Sequence, residues 1–149
     1  MELIIWDFLG TLYDSSKESL YPDSKDILQK TKSKYKQVLS SSGFNKAKRI
    51  TLIKELEIWS LFDEVKIGLK SKRLFLNFCN KYNCKPKDVY VIGDNLLNEI
   101  NTGNRLGMKT IWLNRKRSES MKTKIFRKYC WKDIYKLKEL DSILNYDSK

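Results

Sequence analysis

At 149 residues with a formal charge of +12, 41% hydrophobic and 32% charged residues, the chain suits one folded domain burying about two-thirds of its unfolded surface. No apolar run approaches the ~20 residues of a membrane-crossing helix, and the opening Met1-Glu2-Leu3-Ile4-Ile5-Trp6 lacks the basic region and cleavage site of a signal peptide. Three scattered cysteines (Cys79, Cys84 and Cys130) and no histidine argue against a zinc site and for free thiols in a reducing, cytoplasmic compartment.

The first strand is predicted over residues 3–6, an apolar run suited to burial on both faces. After Pro22 a weak helix carries Ile27 and Leu28, and a second strand spans 35–39 before Ser40-Ser41-Ser42-Gly43 stops it. Asn45 is placed to cap a helix with Ile50, Ile53 and Leu56 on one face, and a third strand covers 65–67. Ser71 caps the next helix, whose core stripe is Leu74, Phe75, Phe78, Cys79 and Tyr82. Lys85-Pro86 breaks it, and residues 89–92 form the strongest strand. A helix with Ile100 and Leu106 turned inward ends at Gly107 in a left-handed cap, and 109–113 is the fifth strand. A basic segment leads to a last helix with Ile134, Leu137 and Leu140 inward. This alternation predicts a single α/β domain over residues 1–149: a Rossmann-like three-layer sandwich around a five-stranded, mostly parallel sheet.

Open parallel sheets form their sites beyond the carboxyl ends of the strands, where the strand order reverses. Four such ends here carry polar residues: Asp7, Ser40, Lys70 or Lys72, and Asp94. Two carboxylates, a hydroxyl and an ammonium group suit a phosphate held beside a divalent cation.

Ile4-Ile5-Trp6-Asp7-Phe8-Leu9-Gly10-Thr11-Leu12 resembles the apolar strand and D-x-D-G-T-L motif of the haloacid dehalogenase-like hydrolase superfamily, and Val91-Ile92-Gly93-Asp94-Asn95-Leu96-Leu97-Asn98-Glu99 resembles its fourth motif. Val38-Leu39-Ser40, a lysine opening a helix and the stretch 103–115 complete the likeness from about residue 2 to residue 144. The resemblance implies a Mg²⁺-dependent phosphohydrolase. Asp7 would be the nucleophile that becomes an aspartyl-phosphate. Ser40 and Lys72, the latter favoured over Lys70 on spacing, would hold the phosphoryl oxygens. Ser41 and the backbone after Asp7, including Gly10, would complete the cradle. Asp7, Asp94, Glu99 and the Leu9 backbone carbonyl would hold Mg²⁺.

Leu9 departs from the motif, because it stands where the family's phosphatases carry the aspartate that serves as general acid and base. Leucine cannot protonate a leaving alkoxide or activate water, a loss of ~10²–10⁴-fold in rate. Dehalogenation, whose enzymes also lack that aspartate, fits poorly with the retained Asp94 and Glu99. Thirty-three positions separate Asp7 from Ser40 and 32 separate Ser40 from Lys72, which leaves no room for an inserted cap domain. An uncapped site favours a phosphorylated macromolecule or polymer end.

The alternative is a catalytically inactive binding or scaffold protein on the same fold. Residues 114–139 carry ten Lys and Arg against three acids, with Phe126, Tyr129 and Trp131 interleaved, and could contact RNA, a ribonucleoprotein or an acidic protein. A composition effect competes with that reading: 24 of the 30 basic residues are lysine and alanine occurs once, at Ala47, as in low-GC coding sequence.

Overall fold

A computed structural model describes residues 2–144. Its main sheet has six strands, and every adjacent pair is parallel. The strands are β1 (Leu3–Trp6), β4 (Lys36–Ser41), β5 (Glu64–Ile67), β6 (Val89–Gly93), β7 (Lys109–Leu113) and β8 (Lys132–Ile134). The short strands β2 (Tyr13–Asp14) and β3 (Ser19–Leu20) form a separate antiparallel hairpin directly after β1.

Side chains alternate across the central strands, as the two-residue period requires. Ile4 and Trp6 enter one core cluster with Leu39, Tyr90 and Ile92. Leu3 and Ile5 enter the other with Val38, Val89 and Val91. The first cluster is covered by α1 (Ser24–Lys32) and α2 (Lys46–Glu55), through Ile27, Leu28 and Ile53. The second is covered by α3 (Lys72–Lys81) and α4 (Glu99–Arg105), through Phe75, Phe78 and Ile100. Asn45 and Ser71 cap α2 and α3, accepting from Lys48 N at 3.0 Å and Leu74 N at 3.1 Å. Gly107 takes the left-handed conformation, φ +78.

The sheet has six strands, one more than its sequence suggests. Lys132–Ile134 adds alongside β7, and the segment expected as the last helix is a 3-10 helix, Leu137–Ser142. Ile134, Leu137 and Leu140 are nonetheless all buried. Between the hairpin and β4 lies only α1, and between β4 and β5 only α2 and a short 3-10 turn. Among the described residues neither interval holds a cap domain.

From β1 the chain steps through β4 to β5, then crosses back to β6 and continues to β7 and β8. The reversal lies beside β1, so the carboxyl end of β1 opens at the switch point.

Candidate active site

Asp7 directly follows β1, and its N–H still extends the ladder, donating to Ile92 O at 3.0 Å. Its carboxylate is buried and fully engaged: Thr11 Oγ1 donates to Oδ2 at 3.1 Å, and Lys70 Nζ donates to Oδ1. The Lys70 ammonium also donates to Glu99 Oε1 at 3.1 Å. Glu99, from the first turn of α4, accepts the Asn95 N–H on Oε2 at 2.8 Å. One carboxylate oxygen each from Asp7, Asp94 and Glu99 lies within 4.8 Å of the others.

Three carboxylates around one ammonium group leave the site electrostatically strained. Burial, then the Asp7 carboxylate, push Glu99 up to about 7 against the opposing pull of Lys70. Asp94 rises to about 8, through desolvation first and then its hydrogen bond and charge repulsion with Asp7. Its outer side reaches solvent, so crowding by Asp7 explains that rise better than burial does. Burial alone would lower Lys70, but Asp7 and Glu99 outweigh it and hold the ammonium above its ordinary value.

Two glycines make the crowding sterically possible. Gly10 has φ +78, and a Cβ there would overlap the Asp94 carboxylate; one at Gly93 would overlap Glu99.

Ser40 is buried in β4, and its hydroxyl has no hydrogen-bond partner among the described residues. An orphaned buried hydroxyl costs about 1–3 kcal/mol and persists where a ligand completes it. Ser41, the neighbouring phosphate candidate, belongs to a different network. It follows Ser40 on the alternating strand, and its hydroxyl accepts from Arg49 Nη1 at 2.6 Å.

The lysine assignment is corrected. Lys70, in the loop between β5 and the Ser71 cap, reaches Asp7, whereas Lys72 opens α3 with its side chain in solvent. Asp7, Lys70, Asp94 and Glu99 therefore converge, with Gly10 against Asp94. Leu9 is 39% exposed and lines a cleft of about 610 Å³ beside Asp94.

Sequence reasoning passed over three contributors. Thr11 orients Asp7, although it stands in the quoted motif. Trp112 Nε1 donates to Asp94 O at 3.0 Å. Arg115 Nη2 donates to Thr11 O at 2.9 Å and to Asp23 Oδ1 at 3.1 Å, with its guanidinium 3.7 Å above the Tyr21 ring. Asp23 Oδ2 accepts the Leu137 N–H at 2.9 Å, so this clamp ties the loop after β1 to the C-terminal segment. The aromatics of that segment divide: Phe126 is half-buried, and Tyr129 and Trp131 are exposed.

Residues 14–113 match the family model described as haloacid dehalogenase-like hydrolase. A glyceraldehyde 3-phosphate phosphatase from Pyrococcus furiosus is 30% identical over 94 residues, 59% of this chain; the match spans 39% of that relative's length. Among solved structures, a HAD phosphatase from Thermococcus onnurineus superposes with TM-score 0.80 at 16% identity, covering 97% of this chain and 98% of that one. A haloacid dehalogenase-like family hydrolase from Streptococcus pneumoniae gives 0.79 at 15% identity, covering 97% and 99%. The structural likenesses establish the fold. The family match, which takes in more than half of the chain, establishes membership: this chain belongs to the haloacid dehalogenase-like hydrolases.

Proposed function

We propose that the chain is a Mg²⁺-dependent phosphohydrolase that works through an aspartyl-phosphate on Asp7 and is specialised by Leu9 for leaving groups that need no proton. The observation that carries this reading is the convergence of Lys70, Asp94 and Glu99 on Asp7, with the unpartnered Ser40 hydroxyl buried in the neighbouring strand. The Pyrococcus relative, named a phosphatase, supports it.

The donor set fits a hard divalent cation. Asp7, Asp94 and Glu99 offer oxygens within 4.8 Å of one another, and their mutual repulsion is what a cation relieves. Asp7, Asp94 and the Leu9 carbonyl would hold it, with Glu99 behind them. When bound, it supplies positive charge that offsets the negative charge of a transferring phosphoryl group.

The protein's own residues do the rest. Thr11 and Lys70 fix the Asp7 carboxylate in place, so that one oxygen attacks phosphorus. The bond from phosphorus to the leaving oxygen breaks, and the electron pair departs on that oxygen. Ser40 donates to a phosphoryl oxygen, and the Lys70 ammonium stabilises the charge that builds there. Water then attacks phosphorus, releasing phosphate and restoring Asp7. Leu9 donates no proton in the first step and accepts none in the second. Open at the sheet edge, the site admits phosphate on large molecules as well as small ones.

Leu9 also favours a second reading, a binding protein with no turnover. An aryl phosphate assay with and without Mg²⁺, together with mass spectrometry for phosphorylated Asp7, separates the two. Slow Mg²⁺-dependent hydrolysis with a trapped phospho-enzyme is expected. Absence of both, in the parent chain and in Leu9→Asp, establishes the binding protein.

A further inference from the structure

The cleft of about 610 Å³ beside Asp94 is lined by both acidic and basic side chains. Leu9, Gly10 and Asp94 line it, and so do Lys116 and Lys122. Those two lysines are exposed, and neither forms an ion pair among the described residues. Arg115 lines the same cleft, with its Nη2 engaged by Asp23 and Thr11. Asp14, an acid that also lines the cleft, accepts within its own turn from Ser16 N at 3.0 Å and Ser16 Oγ at 2.6 Å.

Lys116 lies in the loop before α5 (Met121–Phe126) and Lys122 on that helix, and local hydrogen bonds tie the segment together. Ser118 N donates to Asn114 Oδ1 at 2.9 Å, and Ser120 Oγ accepts from Thr123 N at 3.2 Å at the start of α5. Two cations without an ion pair among the described residues thus line the same cleft as Asp94. The cleft's volume falls within the ~300–1,000 Å³ of small-molecule sites.

A leaving oxygen that receives no proton must be stable as an anion. From that requirement, joined to these two cations, we infer that the cleft receives the second phosphate of a phosphoanhydride, such as a nucleoside diphosphate or pyrophosphate, with Lys116 and Lys122 as its recognition residues. The inference rests on the phosphohydrolase reading for its chemistry. Asp7 forms a bond to the terminal phosphorus while the bridging P–O bond breaks. The electron pair stays on the bridging oxygen, and the leaving phosphate departs as an anion between the two lysines. Water hydrolyses the aspartyl-phosphate, and its protons pass to product phosphate and solvent.

The test compares the parent with the double variant Lys116→Ala/Lys122→Ala in Mg²⁺, using pyrophosphate and ADP against nitrophenyl phosphate. Calorimetric binding of methylenebisphosphonate, which cannot be hydrolysed at its bridge, runs alongside. Losing one charged hydrogen bond weakens binding by about 10–100-fold. The double variant should therefore bind the bisphosphonate at least about tenfold more weakly. Its kcat/KM for pyrophosphate should fall about tenfold further than that for the aryl ester. A preference for ADP over pyrophosphate in the parent identifies the nucleotide as the source. Equal losses on anhydride and aryl ester, or bisphosphonate binding no tighter than inorganic phosphate, overturn the inference while leaving the phosphohydrolase intact. Lysine-dependent bisphosphonate binding without turnover of any phosphate supports the recognition site and rejects the Asp7 chemistry.

Discussion

Replacing Ser40 with alanine should make the protein more stable and less active. The Ser40 hydroxyl is shut away from solvent and has no partner among the described residues, which costs the free protein about 1–3 kcal/mol of desolvation. Alanine keeps the Cβ and leaves a void about one oxygen atom in size, worth a few tenths of a kcal/mol at ~24 cal/mol per Å³. The net expectation is a gain of about 1 kcal/mol, or roughly 2–4 °C in Tm for a chain of this length. On the proposed mechanism the same change would remove a donor to the phosphoryl oxygens, and kcat/KM on an aryl phosphate should fall about 10–100-fold. Denaturant titration and thermal melts read the first effect, and steady-state kinetics the second. A variant destabilised by about 1 kcal/mol or more would refute the reasoning, because the hydroxyl would then be hydrogen-bonded in the free protein. Unchanged turnover would refute its role at the phosphate.

The remaining predictions concern the charges around Asp7. Lys70→Met leaves two buried carboxylates without their cation and should cost about 3–5 kcal/mol at pH 8; urea melts should show a smaller loss at pH 5.5, where Glu99 is protonated. Lys72→Ala, on a solvent-facing side chain, should leave stability and turnover within about twofold, and a loss matching that of Lys70→Met would reverse the assignment. Glu99 and Asp94 are raised from 4.5 and 3.8 to about 7 and about 8, so the folded chain holds protons that the unfolded chain releases. That stabilisation is complete below about pH 4 and lost as pH climbs through 7 to 8; melts of the metal-free protein should therefore fall across that window. Mg²⁺ competes with those protons, so its shift in Tm should be larger at pH 8 than at pH 5.5, and Asp94→Asn should abolish it. Leu9→Asp should raise alkyl-ester turnover, by up to ~10²–10⁴-fold; an unchanged rate would mean that proton transfer is not limiting.

The parts of the fold legible in the sequence are those where one local rule decides. Apolar runs buried on both faces marked β1, β4, β6 and β7, and Asn45 and Ser71 were recognisable caps because a side-chain oxygen there meets free helical N–H groups. The hairpin and β8 were not, since two or three residues with little burial carry no period. Lys70 and Lys72 illustrate a subtler limit. Spacing between motifs could not separate residues two apart, yet the cap could have: if Ser71 is the N-cap, Lys72 already belongs to the helix and Lys70 to the loop crossing the sheet edge. The roles of Trp112 and Arg115 were not legible because their partners, Asp94 O for the first and Thr11 O and the Asp23 carboxylate for the second, lie in distant segments.

Leu9 also changes the electrostatics of the site beyond removing a proton donor. Asp7, Asp94 and Glu99 already oppose a single ammonium, and two of them are pushed to about 7 or above. A fourth carboxylate beside Asp7 would add repulsion to a cluster that Lys70 does not neutralise. Leucine lowers that load, at the expense of leaving the departing oxygen uncovered. Its charge must then be matched by cations outside the cluster, and Lys116 and Lys122 are the unpaired ones that border the cleft among the described residues. On the proposed reading, the exposed Leu9 and these lysines would be two halves of one arrangement, in which the leaving group is met by positive charge instead of by a proton.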